Sequence, residues 1–219
     1  MTELFSGYDK STKKLVFRVY AERLPETEKR QRHKDAHFAA LDLLGAALAE
    51  DFGLRHAVIH RIGLGKPQLI HDFLHINISH CKGLAVAAAG TVPLGVDAEV
   101  PRTVREPLLR KVCTAEEIAQ IKSADDEKHM FARFWTLKEA YAKYTGKGIG
   151  LDFAKLGFAF SGDGAVMFRS PAAEQVQFFH ILTDEMIPVS LCCQNDITLN
   201  TDSPAGSKLL RSRNDNIFS

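Results

Sequence analysis

Three acidic residues place the strongest constraint on how this chain can fold. Asp97 and Glu99 stand two apart in Gly95-Val96-Asp97-Ala98-Glu99, a run with strand character, and alternate residues of a strand project from one face. Glu139 lies in Trp135-Thr136-Leu137-Lys138-Glu139-Ala140, a stretch with helical character. A fold that uses the three together must bring that helix against that strand. Carboxylate oxygens converging from both elements suit a hard divalent cation. Lys138 and Lys143, which flank Glu139, supply the positive charge that a metal-bound phosphate ester needs.

Phe131, Trp135, Glu139 and Lys143 recur at intervals of four, so a carboxylate interrupts an otherwise aromatic helical stripe. A solvated Glu139–Lys143 pair would contribute only about 0.3–0.5 kcal/mol. Trp135 one turn earlier marks the stripe as inward-facing, and a buried carboxylate needs a cation or donors to remain ionised. The Asp97-x-Glu99 pair taken alone is also what the solvent face of a strand carries. Two further groups have a plain and a functional reading. Asn77-Ile78-Ser79-His80 closes a strand and offers a hydroxyl and an imidazole to a phosphate; otherwise it is a turn with a satisfied histidine. Gly65-Lys66-Pro67 is a turn that also presents exposed backbone groups and a cation to a nucleotide.

The chain has 219 residues, 45% of them hydrophobic, which is enough for one large or two small packed domains. A net charge of +1 gives no global drive toward nucleic acid or an anionic membrane, so neither is expected as a partner. Cys81, Cys113, Cys192 and Cys193 lack metal-ligand spacing, and a bridge between the adjacent pair would be strained, which points to a reducing cytoplasm. The first residues lack a charged leader with an apolar core, and no apolar run approaches the ~20 residues of a membrane helix. A soluble, cytoplasmic protein is the expectation.

The patterning predicts a strand at 15–20, a basic-fronted helix from about Pro25 to Glu50 ended by Gly53, and short strands at 57–62, 75–79, 84–89 and 94–99. Thr114-Ala115-Glu116-Glu117 is a capping box that opens a short helix to about Ile121. A second helix, capped by Asp125 or Asp126, runs to about Tyr144 and stops at Gly146. A hairpin at 158–168 and strands at 176–182 and 187–193 follow, and the tail from Asn200 is expected to be disordered. The boundaries read from this are an N-terminal α+β half at 1–93, a C-terminal α+β half at 94–199 that carries the acid-bearing helix, and a tail at 200–219.

Gly65-Lys66-Pro67, Asn77-Ile78-Ser79-His80, Gly95-Val96-Asp97-Ala98-Glu99 and Phe134-Trp135-x-x-Lys138-Glu139-Ala140-x-x-Lys143 occur in the order and approximate spacing of the 4'-phosphopantetheinyl transferases. The chain resembles the surfactin-synthetase-activating type, and four ordered motifs are specific where each alone is not. The resemblance implies an α+β fold of two similar halves, each a small antiparallel sheet plus helices, joined as a pseudo-dimer in one monomeric chain. It implies transfer of the phosphopantetheine arm of coenzyme A to a serine of an apo acyl or peptidyl carrier protein, releasing adenosine 3',5'-bisphosphate. Asp97, Glu99 and Glu139 would hold magnesium, or manganese, on the pyrophosphate. Glu139 and Lys143 would be catalytic, Glu139 also as acceptor of the serine proton. Asp97, Lys138 and Lys143 would face the coenzyme A phosphates, Ser79 and His80 the 3'-phosphate, and Gly65, Lys66 and Pro67 the adenine side. The chain departs from the family at His37-Phe38-Ala39-Ala40, where a small polar or basic residue is usual; Lys29, Arg30, Arg32 or Lys34 would replace it. Apolar residues of Lys111 to Ile121, with Arg102, Arg105, Arg110 and Lys111, are expected to dock an acidic carrier. Two other functions use the same groups: a silent coenzyme A-binding module and a magnesium-dependent phosphohydrolase.

Overall fold

The computed structural model describes residues 1–25, 29–60, 67–70, 73–161, 166–169, 176–199 and 210–211. In chain order the elements are β1 (Thr2–Asp9), β2 (Leu15–Arg23), α1 (Lys29–Phe52), β3 (Ile59–His60), β4 (Gln68–Leu69), β5 (His75–Cys81), β6 (Leu84–Gly90), β7 (Leu94–Ala98), α2 (Glu106–Val112), α3 (Ala115–Ser123), α4 (Glu127–Thr145), β8 (Gly157–Phe160), β9 (Val166–Arg169), β10 (Val176–Leu182), β11 (Pro188–Gln194), β12 (Ile197–Leu199) and β13 (Leu210–Arg211). A five-stranded sheet is ordered β12-β1-β2-β6-β5 and a four-stranded sheet β13-β10-β11-β7, with β3-β4 and β8-β9 as small hairpins. The pairings of the two main sheets are antiparallel.

Alternation along the strands decides how these sheets stack. Val86 and Ala88 of β6 face inward with Leu94 and Val96 of β7, Ile181 of β10 and Leu191 of β11, so the two sheets share one apolar layer. The opposite residues of β6, Ala85, Ala87 and Ala89, pack under α1 against Leu44 and Leu48. Small side chains in that strand let the helix lie close. On the outer face of the second sheet, α4 buries Phe134, Leu137 and Tyr141 against Phe178, Cys192 and the β8–β9 hairpin. The molecule is thus α+β, with one long helix on the outer face of each sheet.

The predicted caps are present. The Thr114 hydroxyl accepts from the Glu117 amide at 3.2 Å while Glu117 accepts from the Thr114 amide at 2.8 Å. Asp126 caps α4, and Gly53 (φ +68°) and Gly146 (φ +72°) end α1 and α4 in the left-handed region open to glycine. Three differences from the sequence expectation stand out. The opening residues form β1, and β12 crosses over to pair with it. The patterning did not predict α2, in which Pro107 sits in the first turn, where a proline costs no hydrogen bond. Leu210–Arg211, inside the segment expected to be disordered, pairs with β10.

Candidate active site

The site forms where the edges of the two main sheets meet. Strands β5 and β7 are joined there by side chains. Asn77 Oδ1 accepts from the Val96 amide at 2.9 Å, and Ser79 Oγ accepts from the Ala98 amide at 3.2 Å. The Ser79 hydroxyl donates in turn to Asp97 Oδ1 at 2.7 Å. Lys143, arriving from α4, places Nζ 2.7 Å from the same oxygen, 3.0 Å from the Val96 carbonyl and 3.3 Å from the Ile78 carbonyl. Three acceptors match the three ammonium protons, so Lys143 clamps both strand edges and neutralises Asp97.

Gly95 makes this approach possible. A methyl group there would sit inside the van der Waals radius of the Ala140 carbonyl oxygen and the Tyr144 nitrogen of α4. The helix therefore rests on bare backbone of β7, two residues before Asp97. Gly95→Ala is expected to push α4 off the strand, costing about 1–3 kcal/mol in urea denaturation.

Asp97 and Glu139 belong to elements in direct contact, and Glu139 feels the charge of Asp97. Burial, reinforced by repulsion from Asp97 and Glu99 and opposed by Lys143, pushes the Glu139 carboxyl up to about 6. Burial also raises Glu99, with Asp97 adding repulsion, while its Oε1 accepts from the Val100 amide at 3.0 Å. By donor chemistry the set fits a hard divalent ion: three carboxylates, of which Glu99 and Glu139 are held up by burial and by neighbouring acidic charge. Among the described residues, however, no three acidic, histidine or cysteine side chains are drawn together as a ligand shell. One Asp97 oxygen is taken up by Ser79 and Lys143 instead.

A consequence for stability follows from Glu139. Its folded value lies above the ordinary 4.5, so the folded state holds a proton that the unfolded state has released. Metal-free protein is expected to be most stable below pH 4.5 as far as this group is concerned. It should lose about 1 kcal/mol as pH rises through 6, after allowance for solvent screening of a partly exposed group. Denaturant titrations at pH 4.5 and 7, with other carboxylates controlled by a Glu139→Gln variant, measure this loss.

The structure does not bring Lys138 to the acids. Its side chain is fully buried on the far side of α4, where Nζ meets Glu117 Oε2 at 2.8 Å and donates to the Phe153 carbonyl at 2.7 Å and to the Leu156 carbonyl. Residues one apart on a helix do not share a face, so Lys138 and Glu139 diverge. Ser79 and His80 diverge for the equivalent reason in a strand. Ser79 turns to Asp97, whereas the His80 ring lies edge-on to His37 of α1 at 5.5 Å. Pro67 is buried beside β4; Gly65 and Lys66 fall outside the described residues, as do the side chains of Lys29, Arg30 and Arg32. In the segment expected to dock a carrier, Val112, Cys113 and Ile121 point into the core and Ile118 packs partly against it. Arg110 pairs with Glu106 at 3.0 Å, and Arg102, Arg105 and Lys111 are exposed. No helix among the described residues is long and apolar enough to cross a membrane.

Sequence reasoning passed over four residues that build the site: Asn77, which ties β5 to β7; Gly95, which admits α4; and Thr136 and Ser190, bonded to each other at 2.8 Å beneath the acids. Only Gly95 had a signal, a glycine inside a strand pattern, which marks close backbone approach.

Residues 93–192 match the 4'-phosphopantetheinyl transferase superfamily model. A Bacillus subtilis 4'-phosphopantetheinyl transferase is 26% identical over 189 residues, covering 82% of this chain and 84% of that protein. The B. subtilis 4'-phosphopantetheinyl transferase ffp is 27% identical across 73% of this chain and 75% of its own. HetI of Nostoc sp., also a 4'-phosphopantetheinyl transferase, is 38% identical, over 39% of this chain and 40% of its own. Among solved structures, a Bacillus anthracis holo-(acyl-carrier-protein) synthase in complex with CoA (3',5'-ADP) overlaps 47% of this chain and 95% of its own at 18% identity and a TM-score of 0.41. On the sequence matches, this chain is similar to the 4'-phosphopantetheinyl transferases, with Asp97, Glu99, Glu139 and Lys143 all inside the matched segment.

Proposed function

We propose that this chain transfers the 4'-phosphopantetheine arm of coenzyme A to a serine hydroxyl of an apo acyl or peptidyl carrier protein. The observation that carries the proposal is the Lys143–Asp97 ion pair at the sheet junction, with Glu139 close enough to feel the charges of Asp97, Glu99 and Lys143, all within the segment that matches the superfamily. In the reaction the serine oxygen forms a bond to the phosphorus that carries the pantetheine arm. The pyrophosphate bond breaks, and adenosine 3',5'-bisphosphate leaves with the bonding electrons. A bound magnesium or manganese ion, held by Asp97, Glu99 and Glu139, would neutralise charge on the pyrophosphate.

The remaining work falls to side chains. Lys143 holds Asp97 and offsets negative charge as the leaving phosphate departs. Ser79, whose hydroxyl is already given to Asp97, orients that carboxylate and is assigned this role in place of a direct phosphate contact. Glu139, with a value near 6, takes the serine proton directly or through water. His80, beside His37, lies on the α1 side and faces the 3'-phosphate. Exposed Arg102, Arg105 and Lys111 meet the carrier's acidic surface.

The test is to incubate the purified chain with magnesium, coenzyme A and an apo carrier protein and to weigh the carrier intact. Gain of one phosphopantetheine group with release of adenosine 3',5'-bisphosphate is the expected result. Coenzyme A cleavage without carrier would identify a phosphohydrolase, and coenzyme A binding without either product would identify a silent binding module.

A further inference from the structure

Asp97, Ser190 and His180 form a straight row across β7, β11 and β10. Asp97 is the register partner of Ser190, and Ser190 of His180. All three face α4, since the residues between them along their strands point into the layer between the sheets. Above the row, α4 presents Glu139, Thr136 and Arg133 at intervals of three. Three helical residues advance about 4.5 Å and neighbouring strands lie about 4.8 Å apart, so a helix that crosses the strands can match them one to one.

The match is made by hydrogen bonds. Arg133 Nε donates to His180 Nε2 at 3.2 Å, and His180 Nδ1 lies 2.9 Å from Ser190 Oγ, which is 2.8 Å from Thr136 Oγ1. Thr136 donates to the Arg133 carbonyl at 3.0 Å. The donors fix the direction of the whole chain. His180 Nε2 must accept, so Nδ1 carries the proton and donates to Ser190; Ser190 donates to Thr136, whose own proton is spent on Arg133. His180, Ser190 and Thr136 are all fully buried, and the loop leaves none of their hydrogen-bonding roles in conflict. Arg133 also stacks over Phe160, with its guanidinium carbon 3.8 Å from the ring centroid.

We propose that this buried Arg133–His180–Ser190–Thr136 loop is the positioning device that sets Glu139 against Asp97. It supplies the first two rungs of a register whose third rung is the acid pair, and His180, Ser190 and Thr136 are positioning residues for it. A slip of α4 along the row would strand three buried polar groups, which the apolar contacts of the helix alone would not penalise. The inference rests on the metal-dependent transferase reading of the same site.

Its test uses the full chain and Mn2+ as probe, with binding followed by electron paramagnetic resonance and transfer assayed separately. Thr136→Val keeps the shape and removes the hydroxyl. It is expected to weaken Mn2+ binding and lower kcat by about 10-fold, with KM for coenzyme A within about two-fold of the parent and the denaturation midpoint reported alongside. Ser190→Ala should act in the same direction and carries the test should Thr136→Val fail to fold. Thr136→Ser, which restores the hydroxyl, should recover most of the loss. Variants that bind Mn2+ and turn over like the parent would overturn the inference, as would an equal loss in Thr136→Ser and Thr136→Val, which would make the effect one of packing. A parent chain that binds no Mn2+ overturns the metal reading itself, an outcome separate from a parent that binds and variants that do not differ.

Discussion

Glu139→Gln is expected to reduce carrier modification by on the order of 10²–10³-fold while leaving the folded state as stable as the parent at neutral pH, or more so. The two effects come from one environment. Glu139 is pushed up to about 6 because burial and two neighbouring carboxylates work against its charge. Neutral glutamine keeps the shape and removes that repulsion, so the metal-free fold gains. What it loses is a charged oxygen for a divalent ion and an acceptor for the serine proton. Transfer measured by intact carrier mass, together with urea denaturation of the same preparation, checks both. A variant that loses activity and stability together would mean that Glu139 is a structural residue, and one that transfers normally would remove it from the chemistry. Lys143→Ala provides the contrast: it releases Asp97 and two strand-edge carbonyls at once, so activity and stability should fall together.

Much of this arrangement is visible in local patterning. Alternation put Asp97 in a strand, which ends at Ala98 and leaves Glu99 one residue past it; four-residue spacing linked Glu139 to Lys143, and the caps at Thr114, Asp126 and Gly146 bounded the helices correctly because each is decided within one turn of chain. Two misplacements were avoidable by the same geometry. Lys138 precedes Glu139 by one residue and so leaves the helix on another face, and Ser79 and His80 alternate across β5. What local patterning does not reach is pairing over distance. Nothing near Glu117 announces Lys138, 21 residues on in the chain, and nothing near His180 announces Ser190 or Thr136. A histidine in an apolar strand and a threonine in a helix are individually unremarkable, and their meaning lies in the strand register that stacks them. The β1–β12 pairing is equally nonlocal, joining residues 7–9 to residues 197–199.

Lys138→Met is expected to cost about 3–5 kcal/mol of folding stability, or a Tm lower by roughly 6–20 °C, without a specific effect on coenzyme A. Lys138 and Glu117 are both fully buried. Burial pushes the Glu117 carboxyl up and the Lys138 ammonium down, each opposed by the charge of the other. The pair is tolerable because nothing in it goes unmet. Glu117 accepts from Lys138, from the Thr114 amide that starts α3 and from the Phe158 amide at 2.9 Å in β8, while Lys138 also donates to the Phe153 and Leu156 carbonyls. One ion pair thereby ties α3, α4 and the hairpin together. Methionine fills most of the volume but leaves a carboxylate buried without its cation, which is the costly half of the exchange. Adding Glu117→Gln to Lys138→Met removes that stranded charge and should recover about 1 kcal/mol or more, a coupling that a double-mutant cycle in urea reads directly. Protein that remains folded should bind coenzyme A with unchanged affinity. If Lys138→Met instead kept its stability to within about 1 kcal/mol and raised KM for coenzyme A, the ammonium would have to reach the phosphates after all, and the buried pair would be an alternative resting place for it.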